Sequence, residues 1–445
     1  MKPFLPALLE NGKIPSLYFR NQGLIHDHPI VVYADFETYQ NKLTDVTRGT
    51  HTKVLASMNG AASFGFYAVS SIPSIPSHGS IERGTADEFI KQMLVLALRY
   101  RHVCRNPVEM KIRRRELEEH KVARKCYMCG RTRESLEAEM KGEKNLTEEE
   151  EMWLASVKSK VSYSFVKDHD HITGRFRGSS CFTCNLKAQM PKQVIVFFHN
   201  LESFDGHLLI EAIMRLRAHP TAQTSNENDS DDDEDLQGLS EMAEYQDGDD
   251  YETGVITLDW KRISRMRFDI IANTSEKYMQ ITLGPLVFRD SFKFKDVGLA
   301  NLIKGQRKPC KDGKTTLSEC FPILAANHPF LKKFPGDVSL DLILQKVPMA
   351  YTAITDSGYF DLPTVLPQEA YDNDLSGEPC SDKDFKLVGT VAQHFDLKDQ
   401  GEYHDLYLWT DVLALWRPCA EDGGSIAAST FSSPSLCPLH HTRPC

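Results

Sequence analysis

Long apolar runs are missing from this 445-residue sequence. The longest unbroken stretches, Val194–Phe198 among them, fall far short of the roughly 20 residues that cross a bilayer, which argues against a helical membrane span. A secretory leader is not expected either, because the start, Met1 to Glu10, carries one Lys and an apolar patch broken by Pro3 and Pro6. The chain reads as intracellular, in nucleus or cytoplasm. Internal repeats are absent, and with 41% hydrophobic and 26% charged residues neither a wholly disordered nor a fibrous protein fits. A disulfide-stapled mini-protein is excluded by length, which suggests roughly two or three domains.

Positive charge is also in deficit, with 52 Lys and Arg against 62 Asp and Glu, for a net charge of −10. On its face this argues against a polyanionic partner. The deficit is local, however. Residues 222–254 hold thirteen Asp or Glu and no Lys or Arg, and without them the remainder carries +3. Such a tract cannot bury enough apolar area to offset its chain entropy and self-repulsion, so it reads as a disordered surface insertion. The eleven cysteines of an intracellular chain point to metal or to chance rather than to disulfides.

The apolar, β-branched run Pro29 to Glu37 predicts a buried strand, and Ala86 to Arg101, with Phe89, Ile90, Met93, Leu96 and Ala97 at helical spacing, predicts an amphipathic helix. Gln193 to Phe198 predicts a strand and His207 to Leu216 a helix. Met266 to Ile271, Tyr278 to Leu283 and Leu286 to Asp290 follow as short strands, and Asp405 to Trp416 as a helix that Pro418 stops. The expected architecture is an α/β domain with a mixed sheet. Residues 1–103 open it, 104–190 form an inserted module, 191–221 return to the sheet, 222–254 are the acidic insertion, and 255–416 complete the domain. The Gly-, Ser- and Pro-rich residues 417–445 make an aberrant or disordered tail.

Three acidic signals stand out. In a strand, alternation puts Asp35 and Glu37 on one side, where they can hold a metal jointly. Asn200-Leu201-Glu202-Ser203-Phe204-Asp205 follows a strand and sets a carboxylate at a helix start. Tyr407 and Asp411 lie four apart, on one helical face. Asp-x-Glu, then Asn-x-x-x-Phe-Asp, then Tyr-x-x-x-Asp resembles the three proofreading exonuclease motifs of family B DNA polymerases. The surroundings of these motifs, with Tyr278-Met279 and Arg289 to Phe294 between the second and third, resemble the protein-primed branch of viruses, linear plasmids and self-synthesising transposons. The resemblance covers roughly Pro29 to Leu415. It implies an RNase H-like fold in which Asp35, Glu37, Asp205 and Asp411 ligate a pair of Mg²⁺ or Mn²⁺ ions and Tyr407 orients the attacking water. It further implies that Thr38, Asn200 and Phe204 touch the frayed single strand. The implied partners are single-stranded 3′ ends, primer-template DNA and a terminal priming protein.

Two pairs, Cys126-x-x-Cys129 and Cys181-x-x-Cys184, are separated by the 51 residues from Gly130 to Ser180 and suit tetrahedral thiolate coordination of Zn²⁺. Asp168 to Gly178 followed by Cys181 to Asn185 resembles the zinc-bound, treble-clef His-Asn-His-like module of phage junction-resolving endonucleases. That resemblance implies a second nuclease site of Asp168, His169 and Asn185. The alternative is a module kept only to hold DNA, with Arg175, Arg177 and Lys187 on phosphates. A catalytically silent zinc- and DNA-binding remnant is a further alternative for the whole chain. The palm and fingers signatures Tyr-x-Asp-Thr-Asp, Asp-x-x-Ser-Leu-Tyr and Lys-x-x-x-Asn-x-x-Tyr-Gly are absent. Nucleotidyl transfer by this polypeptide alone is therefore not expected, and a truncated or decayed polymerase fragment is.

Overall fold

The computed structural model describes residues 28–41, 47–48, 52–53, 57–135, 165–188, 190–202, 204–218, 258, 260–274, 277–295, 297–307, 315–345, 347–372 and 377–415. The acidic tract, residues 417–445 and Trp416 lie outside them. The described residues form two compact units, one of residues 106–191 and one of residues 28–105 and 192–415. None of their helices is long and apolar enough to cross a membrane.

The larger unit is built on a seven-stranded mixed sheet. Its strands, in chain order, are β1 (Ile30–Asn41), β2 (Ser57–Ser70), β3 (His78–Glu82), β4 (Val194–Phe198), β5 (Phe268–Thr274), β6 (Lys277–Leu283) and β7 (Leu286–Asp290). The spatial order is 3-2-1-4-7-6-5. β1, β4 and β7 run parallel at the centre, and antiparallel strands flank them on both sides. β4 is buried along its whole length, which is why its sequence is an unbroken apolar run rather than an alternation.

The sequence ends the first strand at Glu37, whereas β1 continues to Asn41, with irregular register after Glu37 and after Thr38. The extension is tertiary in origin. β2 has fourteen residues and supplies hydrogen-bond partners beyond the point where the apolar pattern of β1 stops. β2 itself, and the helices between Leu299 and His394, carried no expectation from the sequence.

In the β1/β2 register Ala34 faces Phe66 and Phe36 faces Phe64, while Asp35 faces Gly65 and Glu37 faces Ser63. Cross-strand partners share a face, so the sheet has one aromatic side and one acidic side here. Helix α1 (Ala86–Arg105) covers the aromatic side. The Phe89 ring on α1 meets Phe36, Phe64 and Phe198 at centroid distances of 5.1, 5.6 and 5.7 Å. Helix α2 (Asp205–Arg217) packs beside α1.

Helix α3 (Gln400–Ala414) covers the acidic side. It begins five residues before the expected Asp405, because the Asp399 side chain caps it by accepting the Glu402 amide at 2.8 Å. α3 lies so close to β2 that a Cβ at Gly65 would stand 2.9 Å from Leu408 Cγ and 3.2 Å from Val412 Cγ2. Both contacts are with the helix's own packing side chains, so a larger residue at position 65 must lift α3 off the sheet.

One expectation is corrected here. Cys320, buried in this unit, is disulfide-bonded, whereas the cysteines were expected to serve metal or to be there by chance rather than to form disulfides. Gly65→Val should destabilise the larger unit by about 1–3 kcal/mol through overpacking, read as a lowered unfolding midpoint in chemical or thermal denaturation. An unchanged midpoint would show that α3 does not depend on this close approach.

Candidate active site

Alternation along β1 turns Asp35 and Glu37 toward α3, where Glu37 is 7% exposed and Asp35 half-buried. β4 ends at Phe198, and the loop that follows delivers Asp205 to the first position of α2, where it is 2% exposed. Tyr407 and Asp411, one turn apart on α3, are half-buried. The charges of Asp205 and Asp411 act on both Asp35 and Glu37. Burial raises the pKa of Asp35 well above its ordinary value, and the charges of Asp205, Glu37 and Asp411 add to the shift. Glu37 is raised by burial, then by Asp411 and Asp205. Asp205 is pushed up to about 8, chiefly by burial and with the Asp290 charge adding, while its own amide and that of Phe36 pull the other way. Asp205 Oδ1 is buried without a hydrogen-bond partner.

The loop that carries Asp205 is held by Asp290, part of the Arg289 to Phe294 stretch but expected in no site role. Asp290, 2% exposed at the end of β7, accepts the Asn200 amide at 3.0 Å and the Phe292 amide at 2.9 Å on Oδ1, and the Glu202 amide at 3.0 Å on Oδ2. The buried Glu202 side chain pairs with Lys293 and accepts from Asn273 at 3.0 Å. So fixed, the loop keeps Asn200 at φ 84°, a left-handed conformation uncommon outside glycine, with its side chain exposed. Phe204 is half-buried and caps α2, whereas Thr38 is buried at the β1 irregularity.

A second phenol joins the cluster. The Tyr351 and Tyr407 hydroxyls are 3.0 Å apart. Burial raises the pKa of Tyr351, with Glu37 the first of its charged causes, and burial with Asp411 raises that of Tyr407, so both rings stay protonated beside the acids. Tyr351 opens a single 3₁₀ turn, Tyr351–Ala353, in a stretch without periodic pattern, and no local signal in the sequence marks it.

The smaller unit gathers Cys126, Cys129, Cys181 and Cys184, whose sulfurs all lie within 4.8 Å of one another. Among the described residues this is the one group of three or more His, Cys, Asp or Glu whose ligand atoms come that close; the acid cluster is more open. The Cys129 and Cys181 sulfurs are 3.9 Å apart, near the roughly 3.8 Å edge of a tetrahedron with metal–sulfur bonds of about 2.3 Å. The four cysteines could hold a metal such as zinc. Hydrogen bonds from the Cys181 and Cys184 thiols pull the Cys126 pKa down, and contacts with Cys126 and then Cys181 push Cys184 up. Among the described residues of this unit, Cys126, Cys181, Cys184 and Phe165 form a buried cluster, with Ala123 and Met128 packed against it.

Asp168 lies on a short strand, Val166–His169, paired with Phe176–Ser180. It is 5% exposed, and its carboxylate is taken at 2.9 and 3.0 Å by two nitrogens of Arg177 and also by the Tyr127 hydroxyl. Arg177 also donates to the His169 carbonyl at 3.0 Å. The His169 ring lies 4.7 Å from that of His171, and Asn185 Oδ1 accepts from Ser180 at 3.4 Å. Arg175 is exposed.

Comparison of the chain with protein-family models, with curated proteins and with solved structures finds no match.

A carboxyl whose folded pKa exceeds its unfolded one stabilises the fold while protonated, and that stabilisation is lost as pH rises through the folded value. Without added divalent cation, the melting temperature should therefore fall as pH rises from about 6 to about 9. Asp205→Asn should flatten that slope, and Mg²⁺ should reverse it at the upper end. A melting temperature that rises over the interval would contradict the crowding of acids described above. At the sulfur cluster, elemental analysis of purified protein should find one tightly held metal ion per chain, and Cys181→Ser with Cys184→Ser should remove it. Metal-free wild-type protein with an intact smaller unit would refute the staple.

Proposed function

We propose that the larger unit is an RNase H-like 3′→5′ exonuclease domain of the protein-primed family B DNA polymerase type, acting on single-stranded 3′ ends of DNA. In this reading the smaller unit is a zinc-stapled module that holds DNA. The observation that carries it is that Asp205 and Asp411 both act electrostatically on Asp35 and Glu37, so that acids from three separate motifs are gathered together, with Asp411 and Glu37 also acting on the Tyr407 phenol. Residues kept only as solvated acids would have no reason to gather in a half-buried pocket at the cost of repulsion.

The donor set suits Mg²⁺ or Mn²⁺: it is all carboxylate oxygen, and Asp205 Oδ1 is a buried acceptor without a protein donor. Such ions, when bound by Asp35, Glu37, Asp205 and Asp411, neutralise charge on the attacking and leaving oxygens of a phosphodiester. The protein's own groups do the rest. Tyr407 keeps its proton and orients the attacking water, while Tyr351 holds the Tyr407 hydroxyl. Asn200 offers an exposed amide, and the Phe204 ring offers a stacking surface to an unpaired base, a contact indifferent to sequence. The buried Thr38 presents little side chain to the strand.

For the smaller unit, holding is favoured over cutting. An Asp168 carboxylate engaged by Arg177 and Tyr127 would have to break a two-point ion pair to take a cation. Arg177 is tied down by the same pair, which leaves the exposed Arg175 and its bridge partner Lys111, together with Arg113 and Arg114, to meet phosphates.

The test is an end-labelled single strand with Mg²⁺. The wild-type chain should shorten it stepwise from the 3′ end, and Asp35→Ala with Glu37→Ala should abolish shortening. Undiminished shortening by the double variant would mean these acids are not the site. Internal nicks that survive it would assign the activity to the smaller unit instead.

A further inference from the structure

Ser63 and His404 are both 0% exposed, and Ser63 Oγ lies 2.9 Å from His404 Nε2. On its other side, His404 Nδ1 faces Asp405 Oδ1 at 3.5 Å. A carboxylate only accepts, so the tautomer that serves both contacts carries its proton on Nδ1 and accepts the Ser63 hydroxyl proton on Nε2. Asp405 is in turn held by Arg83, which also donates to the Gly401 carbonyl at 3.0 Å and lies 4.1 Å over the Phe360 ring. The chain of groups has the composition of a hydrolytic Ser-His-Asp arrangement, but its burial denies any substrate access to the serine.

Its placement suggests a different task. Ser63 is the cross-strand partner of Glu37 on β2. On α3, His404 lies about one turn before Tyr407 and about two turns before Asp411, on the same side of the helix. The apolar contacts of Leu408 and Val412 on Gly65 press the helix against the sheet, yet they are non-directional and tolerate a small slide or rotation. A hydrogen bond with defined donor and acceptor does not.

We propose that His404, through its bond to Ser63, is a positioning residue that sets the register of α3 on the sheet and so places Tyr407 and Asp411 against Asp35 and Glu37. The inference rests on the exonuclease reading of the acid cluster. Neither residue touches substrate; the bond acts on hydrolysis through Tyr407 and Asp411.

The full-length chain is tested as wild type, Ser63→Ala, His404→Leu, their combination, and His404→Gln, whose amide reaches far enough to accept from Ser63. Two quantities are measured: release of 3′ nucleotides from single-stranded DNA with Mg²⁺, and Mn²⁺ binding by calorimetry. Ser63→Ala and His404→Leu should each lower kcat by about 10- to 100-fold, the scale of a misplacement of about 1 Å, with KM for the strand nearly unchanged. Each should also weaken Mn²⁺ binding. The double variant should be no slower than the slower single one, because both remove the same bond, and His404→Gln should recover most of the rate. Losses that multiply in the double variant, losses confined to KM, or a Gln variant as slow as Leu would each overturn the assignment. Should His404→Leu fail to fold, Ser63→Ala and His404→Gln decide it by the same criteria. A wild-type chain that neither shortens the strand nor binds Mn²⁺ would refute the exonuclease reading and this assignment with it. An active wild type with an unaffected Ser63→Ala would refute this assignment alone.

Discussion

Helix α3 reaches the acids of β1 because the neighbouring strand presents almost nothing on that face. Opposite Asp35 stands Gly65, with no side chain, and opposite Glu37 stands Ser63, with a small one that bonds to the helix. Larger residues at either place would open a gap between sheet and helix, and Tyr407 and Asp411 would then hang away from the pocket. The gathering of carboxylates opposes folding, since the charges of Asp205 and Asp411 raise the pKa of both Asp35 and Glu37. It is tolerated because the reverse face of the same strands is closed by Phe36, Phe64, Phe89 and Phe198 in edge and stacked contacts, which make the sheet a rigid support.

The loop between β4 and α2 follows the same logic with polar means. A loop has no ladder to fix it, and Asp290 substitutes for one by accepting two of its amides, those of Asn200 and Glu202, while also accepting the Phe292 amide of its own segment. Two bonds from the loop amides to one buried carboxylate hold Asn200 in a left-handed conformation that asparagine accepts more readily than most residues. Asp205 therefore arrives at the pocket from a backbone that has little freedom to retreat from like charge.

The smaller unit is organised around sulfur instead of apolar packing. Among its described residues, three of the four in the buried cluster are cysteines, so atoms that could bind a metal also fill that cluster. Tyr127, within the first cysteine pair, donates to Asp168, which holds Arg177. The knuckle and the two-stranded ladder are thereby joined through polar groups, and Asp168 is spent on that joint.

The residues that could be read directly were those whose partners lie nearby in the chain. Alternation alone sets Asp35 and Glu37 on one face; helical spacing sets Tyr407 and Asp411 on one face; paired cysteines announce a sulfur site; and apolar runs mark β4, α1 and α2. Contacts between separate elements leave no such trace. The length of β1 depends on β2, whose sequence has no clean period. The start of α3, by contrast, is set by a local cap at Asp399 that the apolar spacing does not mark. Tyr351, Asp290 and the Ser63–His404 bond became visible only once distant segments were side by side. Local pattern determined which side chains share a surface of each element, because that follows from backbone geometry alone. Only the tertiary structure decided that these surfaces meet, because that depends on which strand pairs with which and on how small a residue stands between them.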